Sequence, residues 1–200
     1  MSDGSRRKII ALSALTGMLM LGGCHSRPFV QGANTEAPKT VTATLPLDRI
    51  FVLEVSGAPA SDTTVSFRPG TLRTIVLRHA PPDNTVFAEL IFAKEAFPDS
   101  TLDSVRVTLN VKPGVYGLTI SSTPSFSAGT ILRFKYPVHF TAPAAAIARY
   151  GNDALFEQAL AIGVRQPDSL YTLLPSTRPA ADNLEAVIPG PGVYLIAAPR

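Results

Sequence analysis

The sequence of 200 residues has few of the residues that cross-link proteins or bind metals, with one cysteine and three histidines. It also has no tryptophan. A single cysteine cannot form an intramolecular disulfide, so packing has to stabilise the fold. The histidines are His25, His79 and His139, and none has a second ligand at metal-binding spacing. A lone histidine on a strand is more often a structural residue than a ligand. The sequence therefore predicts no metal site and no cofactor.

Charge is also sparse, since 16% of the residues are charged and the net charge is +3. Arg6, Arg7 and Lys8 carry three of the positive charges and Asp3 offsets one, so most of the net charge lies in the N-terminal leader. The sequence shows no clustered basic face of the kind that binds phosphate backbones, which argues against a nucleic-acid partner. A hydrophobic content of 46% is sufficient for a buried core.

Sequence motifs of catalysis are missing as well. The chain has no Gly-x-Ser-x-Gly nucleophile elbow and no glycine-rich phosphate loop. A glycosidase needs two facing carboxylates, and the sequence singles out no pair among Glu54, Glu89, Glu95 and Glu157. The sequence therefore predicts a protein that is not an enzyme. A catalytic triad assembled from distant parts of the chain stays open as an alternative.

A basic and apolar leader opens the chain. Arg6-Arg7-Lys8 is positively charged, and Ile9–Leu21 is an apolar run typical of a signal-peptide core, shorter than the ~20 residues of a transmembrane helix. The run ends in Leu21-Gly22-Gly23-Cys24, which resembles the bacterial lipobox. In that motif small side chains let the peptide enter a membrane-embedded peptidase, and the cysteine thiol takes a diacylglyceryl group as a thioether. An ordinary signal peptide with a chance cysteine, or an uncleaved anchor, is the alternative.

The lipobox resemblance implies cleavage before Cys24 and a lipid anchor that holds the mature chain in the bacterial cell envelope, facing the periplasm. His25 stands where an aspartate retains some lipoproteins in the inner membrane, which favours the outer membrane. General secretion is favoured over the twin-arginine route, which the paired arginines also resemble. The predicted organisation is a signal peptide at 1–23, a flexible tether at 24–45 and a β-sandwich domain at 46–200. Thr40–Leu45 is an alternative first strand.

Short apolar or alternating runs between turn residues dominate the rest of the chain. In Val105–Val111 the odd positions are apolar and the even positions polar, which is typical of a strand with one face on a core. Turns at short intervals favour antiparallel hairpins over βαβ units. The predicted fold is an all-β antiparallel sandwich with one short helix. The predicted strands are Arg49–Val55, Thr64–Arg68, Leu72–Arg78, Val86–Phe92, Ser104–Val111, Val115–Ser121, Ile131–Phe140, Leu155–Val164, Leu170–Leu174, Leu184–Ile188 and Val193–Ala197.

Two segments favour helical structure. The alanine-rich stretch Thr141–Gly151 predicts a short helix with Thr141 as its N-cap, Pro143 in its first turn and Gly151 at its end. Ala88–Phe97 contains good helix formers, so a helical turn competes there with a strand.

From about Val65 onward the order of these features resembles the bacterial ZU5-like β-domains of secreted and lipid-anchored proteins. The resemblance rests on Ile91–Pro98 (IFAKEAFP), Val105–Val111, Pro113–Gly117, Ile131–Tyr136, Arg149–Gly151, Leu173–Thr177 and the closing segment LEAVIPGPGVYLIAAP. The tetrapeptide Pro-Gly-Val-Tyr occurs twice, and we interpret it as shared turn chemistry rather than as an internal repeat. The resemblance implies a structural or interaction module, with no catalytic residues to transfer.

The sequence thus predicts a lipid-anchored envelope protein that acts as a noncatalytic interaction or structural module. It would work through an exposed sheet edge or through loops at one end of the sandwich. Its expected partners are the membrane, through lipidated Cys24, and an envelope protein. A small-ligand or glycan-binding lipoprotein is the alternative, which requires a concave pocket with convergent polar groups. A hydrolase is the third hypothesis and requires perturbed ionisable groups in a cleft.

Overall fold

A computed structural model describes residues 42–55, 57–97, 102–127, 129–137 and 140–200 of the chain. The predicted signal peptide and lipobox, with Leu21, Gly22, Gly23 and Cys24, lie outside these residues, as do His139 and most of the predicted tether. The anchor and the cleavage site therefore stay predictions. Within the described ranges, no helix combines the length and the apolar character that a membrane span requires.

The described residues form twelve strands and two short helices, with a 3₁₀ turn at Leu47–Arg49. The strands are β1 (Thr44–Leu45), β2 (Ile50–Val52), β3 (Thr63–Phe67), β4 (Arg73–Arg78), β5 (Val86–Phe92), β6 (Val105–Val111), β7 (Gly117–Thr123), β8 (Thr130–Lys135), β9 (Ala161–Arg165), β10 (Tyr171–Leu173), β11 (Asn183–Ile188) and β12 (Gly192–Pro199). The helices are α1 (Ala144–Tyr150) and α2 (Asp153–Ala159). Strand β1 falls at the end of the segment predicted as a tether, where a first strand was the alternative.

The strands form two sheets, and every strand pairing is antiparallel. The larger sheet has the order β1-β10-β9-β12-β7-β6-β3, and β2 also pairs with β12. The smaller sheet has the order β11-β8-β5-β4. This architecture confirms the predicted all-β antiparallel sandwich.

The core lies between the two sheets because their strands alternate inward and outward side chains. In β6, Val105, Val107 and Leu109 are fully buried. They belong to one apolar cluster with inward side chains of the smaller sheet, such as Leu132 and Phe134 of β8. Burial of each side chain of this size stabilises the fold by roughly 1.5–3 kcal/mol. The same alternation turns the odd-numbered side chains of β8 to the outside of the smaller sheet.

A β-bulge in β5 shapes one end of the smaller sheet. The register between β4 and β5 shifts between Leu77 and Arg78, so Phe87 is passed over in the pairing. Phe87 and Ala88 are therefore consecutive and yet both fully buried. The Phe87 ring stacks on Tyr116, with ring centroids 5.4 Å apart and an interplanar angle of 11°. The bulge thus packs Tyr116, which follows β6, against the smaller sheet.

The alanine-rich helix is confirmed as α1, although its first turn differs from the prediction. Its N-cap is Pro143, which makes no side-chain cap bond, and not Thr141. It ends at Gly151, whose φ of 91° lies in the region that favours glycine. The helical alternative for Ala88–Phe97 is wrong, because β5 runs to Phe92 at the centre of the smaller sheet.

The prediction of a single helix is wrong, because α2 occupies the first half of the strand predicted at Leu155–Val164. The second half of that predicted strand is confirmed as β9. The Asn152 side chain accepts a hydrogen bond from the backbone N–H of Leu155 at 2.8 Å, which caps the helix. The acidic Asp153 in the first turn also suits a helix N-terminus. The helix buries Phe156, and the chain enters β9 directly afterwards.

Candidate functional site

The outer face of the smaller sheet, the face turned away from the core, carries several exposed apolar side chains. They are Leu72, directly before β4, Val76 in β4 and Val187 in β11, which are 73%, 40% and 57% exposed. Leu47 and Leu155 are the other large apolar side chains that are exposed in the described part of the chain. Single exposed apolar residues are normal, so the arrangement of these three side chains on the face matters more than their number.

Three apolar residues lie side by side on neighbouring strands of this outer face. We call them the apolar row, and they are Ile91, Ile131 and Val187. Val187 lies opposite Ile131, and Ile131 lies opposite Ile91. Thr74 of the edge strand β4 lies opposite Ile91 and ends the row. Because neighbouring strands are ~4.8 Å apart, the three apolar positions span about 10 Å across the sheet. The outer face therefore offers a continuous apolar strip rather than scattered contacts.

A shallow pocket of about 110 Å³ indents the outer face beside Val187 and Ile131. Its other lining residues are Pro175, Thr177, Glu185 and Ala186. Backbone hydrogen bonds of 2.9 Å join Thr177 and Glu185 in both directions, which holds the pocket wall against β11. A pocket of this size accommodates one anchoring side chain of a partner.

A charged row of Glu89, Arg133 and Glu185 lies beside the apolar row, and each of its residues is two positions away from the apolar residue of the same strand. Arg133 Nη1 lies 2.8 Å from Glu89 Oε2, and Arg133 Nη2 lies 2.7 Å from Glu185 Oε2. The hydrogen bond to Glu185, followed by the one to Glu89, raises the pKa of Arg133. The row joins three strands and leaves one negative charge beside the apolar row.

A second concavity, the end cleft, lies where β4 and β8 end and has a volume of about 440 Å³. Among its lining residues are His79, Asp83, Tyr116, Lys135, Tyr136 and Asp182. These residues follow the ends of three strands or lie in turns, so the cleft is formed by loops at one end of the sandwich. Its mixed aromatic and polar lining is typical of a small-ligand site.

His79 is held in one orientation at the wall of the end cleft. Its side chain is buried, and Nδ1 lies 2.7 Å from the carbonyl oxygen of Ala58. A carbonyl oxygen only accepts, so Nδ1 carries a hydrogen and donates it to Ala58. The ring also packs edge-on against Phe87 at 5.3 Å. His79 was predicted to be a structural residue, and these contacts fix it within the fold.

Tyr116 is also deeply buried in the wall of the cleft, with 2% of its surface exposed. Burial raises its pKa to about 12, and the negative charge of Asp83 is the second cause. The phenol is therefore neutral at physiological pH and acts as a hydrogen-bonding group. Its hydroxyl makes no hydrogen bond to any described residue.

Tyr136 forms a fixed wall of the cleft, because its hydroxyl donates to Glu157 Oε1 at 2.8 Å. Burial, followed by that hydrogen bond, raises the pKa of Tyr136 to about 12. Arg178 donates from Nη2 to the backbone carbonyls of Glu157 and Leu160 at the end of α2. These bonds tie the cleft wall to α2.

The two carboxylates of the cleft differ in their partners. Asp182 pairs with Lys135, with Lys135 Nζ 3.6 Å from Asp182 Oδ2. Asp83 is exposed and makes no ion pair with any described residue. Beside the Lys135–Asp182 pair, Asp83 adds one negative charge to the lining of the cleft. No group of three or more His, Cys, Asp or Glu side chains in the described ranges is placed to hold a metal ion.

Sequence reasoning identified the cleft lining only at His79, and only as a structural residue. The lining residues stand at 79, 83, 116, 135, 136 and 182, so no local motif contains them. Their assembly depends on strand register and on the bulge at Phe87, neither of which is readable from composition or periodicity.

Comparisons of the chain with family models, with curated proteins and with solved structures give no match. The ZU5-like resemblance therefore stays a prediction. The function of the chain has to be inferred from the local geometry of the outer face and of the end cleft.

Proposed function

We propose that the chain is a lipid-anchored protein of the bacterial envelope that binds a protein partner through the outer face of its smaller sheet and catalyses no reaction. The carrying observation is the apolar row, with exposed Leu72 and Val76 beside it. Water contact with such a strip is unfavourable, and a partner surface removes it at roughly 25 cal/mol per Å² of apolar area.

The chemistry of this surface suits a folded protein partner. The apolar row is about 10 Å long, and the pocket beside Val187 has room for one apolar anchor side chain. The charged row beside the apolar row would fix the orientation of a bound partner. In the favourable orientation, a positive charge of the partner lies against the net negative charge of this row. A partner with an apolar anchor residue and a neighbouring basic side chain fits both features.

The anchor part of the proposal rests on the leader and on Leu21-Gly22-Gly23-Cys24, as does the placement in the envelope. The ZU5-like resemblance supports a binding module on a tether. The noncatalytic part is supported by His79, whose Nδ1 binds a backbone carbonyl where a hydrolytic triad has a carboxylate.

Photo-crosslinking in the native cell tests the outer face. A photoreactive residue replaces Val187 in the full chain, and the matched control carries it at Leu155, which is similarly exposed on α2. We expect one envelope protein to be captured from position 187 and not from position 155. Val76→Glu, on the same face, should lower that capture at least tenfold. Equal capture from both positions, or capture unaffected by Val76→Glu, would contradict the proposal.

A further inference from the structure

The end cleft presents three hydrogen-bonding groups that have no partner among the described residues. The Tyr116 hydroxyl and His79 Nε2 belong to side chains that are more than nine-tenths buried, at 2% and 6% exposure. The third group is the exposed carboxylate of Asp83. Neither the Tyr116 hydroxyl oxygen nor His79 Nε2 is among the fully enclosed polar atoms that lack a partner, so both are reachable from the cleft, and a ligand there can bond to them.

All three groups accept hydrogen bonds. In the ring tautomer whose one N–H, at Nδ1, donates to the Ala58 carbonyl, His79 Nε2 is an acceptor. The Asp83 carboxylate accepts only, and the Tyr116 hydroxyl accepts as well as donates. A complementary ligand is therefore rich in donors.

The charge of the cleft further restricts the chemical class of the ligand. Lys135 pairs with Asp182, with Lys135 Nζ 3.6 Å from Asp182 Oδ2. Asp83 therefore provides an uncompensated negative charge at the wall formed by Tyr116. A cation is attracted here, whereas an anion is repelled.

We propose that the end cleft binds the ammonium group of a small organic cation, with Asp83, His79 Nε2 and the Tyr116 hydroxyl as its three acceptors. An ammonium group has three N–H donors, which matches the number of unpartnered groups. The side chain of Tyr136 and the aliphatic part of Lys135 enclose the organic remainder of the ligand. This site is separate from the outer face, and its existence does not depend on the proposed protein partner.

The test compares two probes of equal size, n-butylammonium and n-butanol, which differ in the ammonium and hydroxyl groups. Each is titrated into the full chain, labelled for NMR, and the shifts of the His79 and Tyr116 side-chain signals are followed. We expect saturable shifts with n-butylammonium and at least tenfold weaker binding of n-butanol. Equal affinities would overturn the assignment of a cation site. Absence of saturable binding of n-butylammonium would overturn the site altogether.

Two substitutions separate the site from general electrostatics. Asp83→Asn should weaken n-butylammonium binding at least tenfold, and the exposed position of Asp83 makes this variant safe for folding. The matched control is Asp103→Asn, an exposed aspartate two residues before β6 whose Oδ1 lies 4.0 Å from Arg68 Nη2. The affinity of this control variant for n-butylammonium should stay within twofold of that of the native chain. An equal loss in both variants would show attraction by net charge and would refute the cleft.

Discussion

Alkaline pH should unfold this protein through three buried tyrosines. Burial raises the pKa of Tyr116, Tyr136 and Tyr194 to about 12 each. In the unfolded chain a tyrosine ionises near pH 10. Between these two values the unfolded chain releases protons that the folded chain retains. The protein is therefore fully stable below pH 10, and its free energy of unfolding falls as the pH rises towards 12.

The size of the effect follows from the same pKa values. The difference between pKa 10 and about 12 corresponds to roughly 2.7 kcal/mol per tyrosine once both states have ionised. Three such residues give about 8 kcal/mol, which is comparable to the whole stability of a typical domain of 5–15 kcal/mol. At pH 11 the slope should be about −3 kcal/mol per pH unit. We therefore expect the chain to unfold before pH 12 is passed.

Urea unfolding at several pH values between 9 and 12, followed by circular dichroism, measures this slope. Lysines also titrate in this range, so a variant has to isolate the tyrosine contribution. Tyr116→Phe is the best choice, because its hydroxyl makes no hydrogen bond to a described residue and its loss leaves none of them unpaired. The slope should fall by about a third in this variant. Stability that is equal at pH 9 and pH 11, or an unchanged slope in Tyr116→Phe, would refute the reasoning.

Three further predictions concern the anchor, the last strand and the charged row. Cys24→Ala should remove the lipid mass and move the chain from the membrane to the soluble fraction, so a variant that stays as firmly bound as the native chain contradicts the lipobox. Tyr194→Phe should lower the free energy of unfolding by about 1–3 kcal/mol in urea, because the hydroxyl donates to the buried carbonyl of Gly190; a loss below about 0.5 kcal/mol would argue against that bond. Arg133→Met should cost about 1–3 kcal/mol by leaving two glutamates unpaired, whereas Arg106→Met, at an exposed position of β6, should cost less than about 0.5 kcal/mol.

Strand alternation was predictable because it is a local property. Val105–Val111 alternates apolar and polar residues, and the structure buries Val105, Val107 and Leu109. The antiparallel pairing was predictable for a similar reason, since the connections between most apolar runs are too short for a crossover helix.

The strand predicted at Leu155–Val164 shows where alternation misleads. Leu155 and Phe156 interrupt any strict period of two, and the preceding Asn152 and Asp153 are typical of a helix start. Gly151 ends α1 one residue earlier, so one helix stops and another begins within two residues. The capping residues therefore indicate a helix start in a segment whose apolar pattern suggested a strand.

The apolar row and the end cleft could not be predicted, because both depend on register between distant strands. Val187 and Ile91 share a row only because β8 lies between them. The two Pro-Gly-Val-Tyr segments look alike in sequence, and both tyrosines are buried, yet Tyr194 donates to Gly190 while Tyr116 reaches the cleft. Identical local chemistry thus serves two different roles, which tertiary packing alone decides.

Strand β8 connects the two surfaces physically. Ile131, Arg133 and Lys135 are successive outward residues of this strand, and they belong to the apolar row, the charged row and the end cleft respectively. At ~3.4 Å per residue, Ile131 and Lys135 lie about 14 Å apart.

A protein partner that buries a standard interface of ~800 Å² would reach that far and meet the rim of the cleft. Because coupling between sites is reciprocal, n-butylammonium would then change the affinity of the partner by the same factor as the partner changes the affinity for n-butylammonium. Independent binding would show instead that the partner's footprint ends before Lys135.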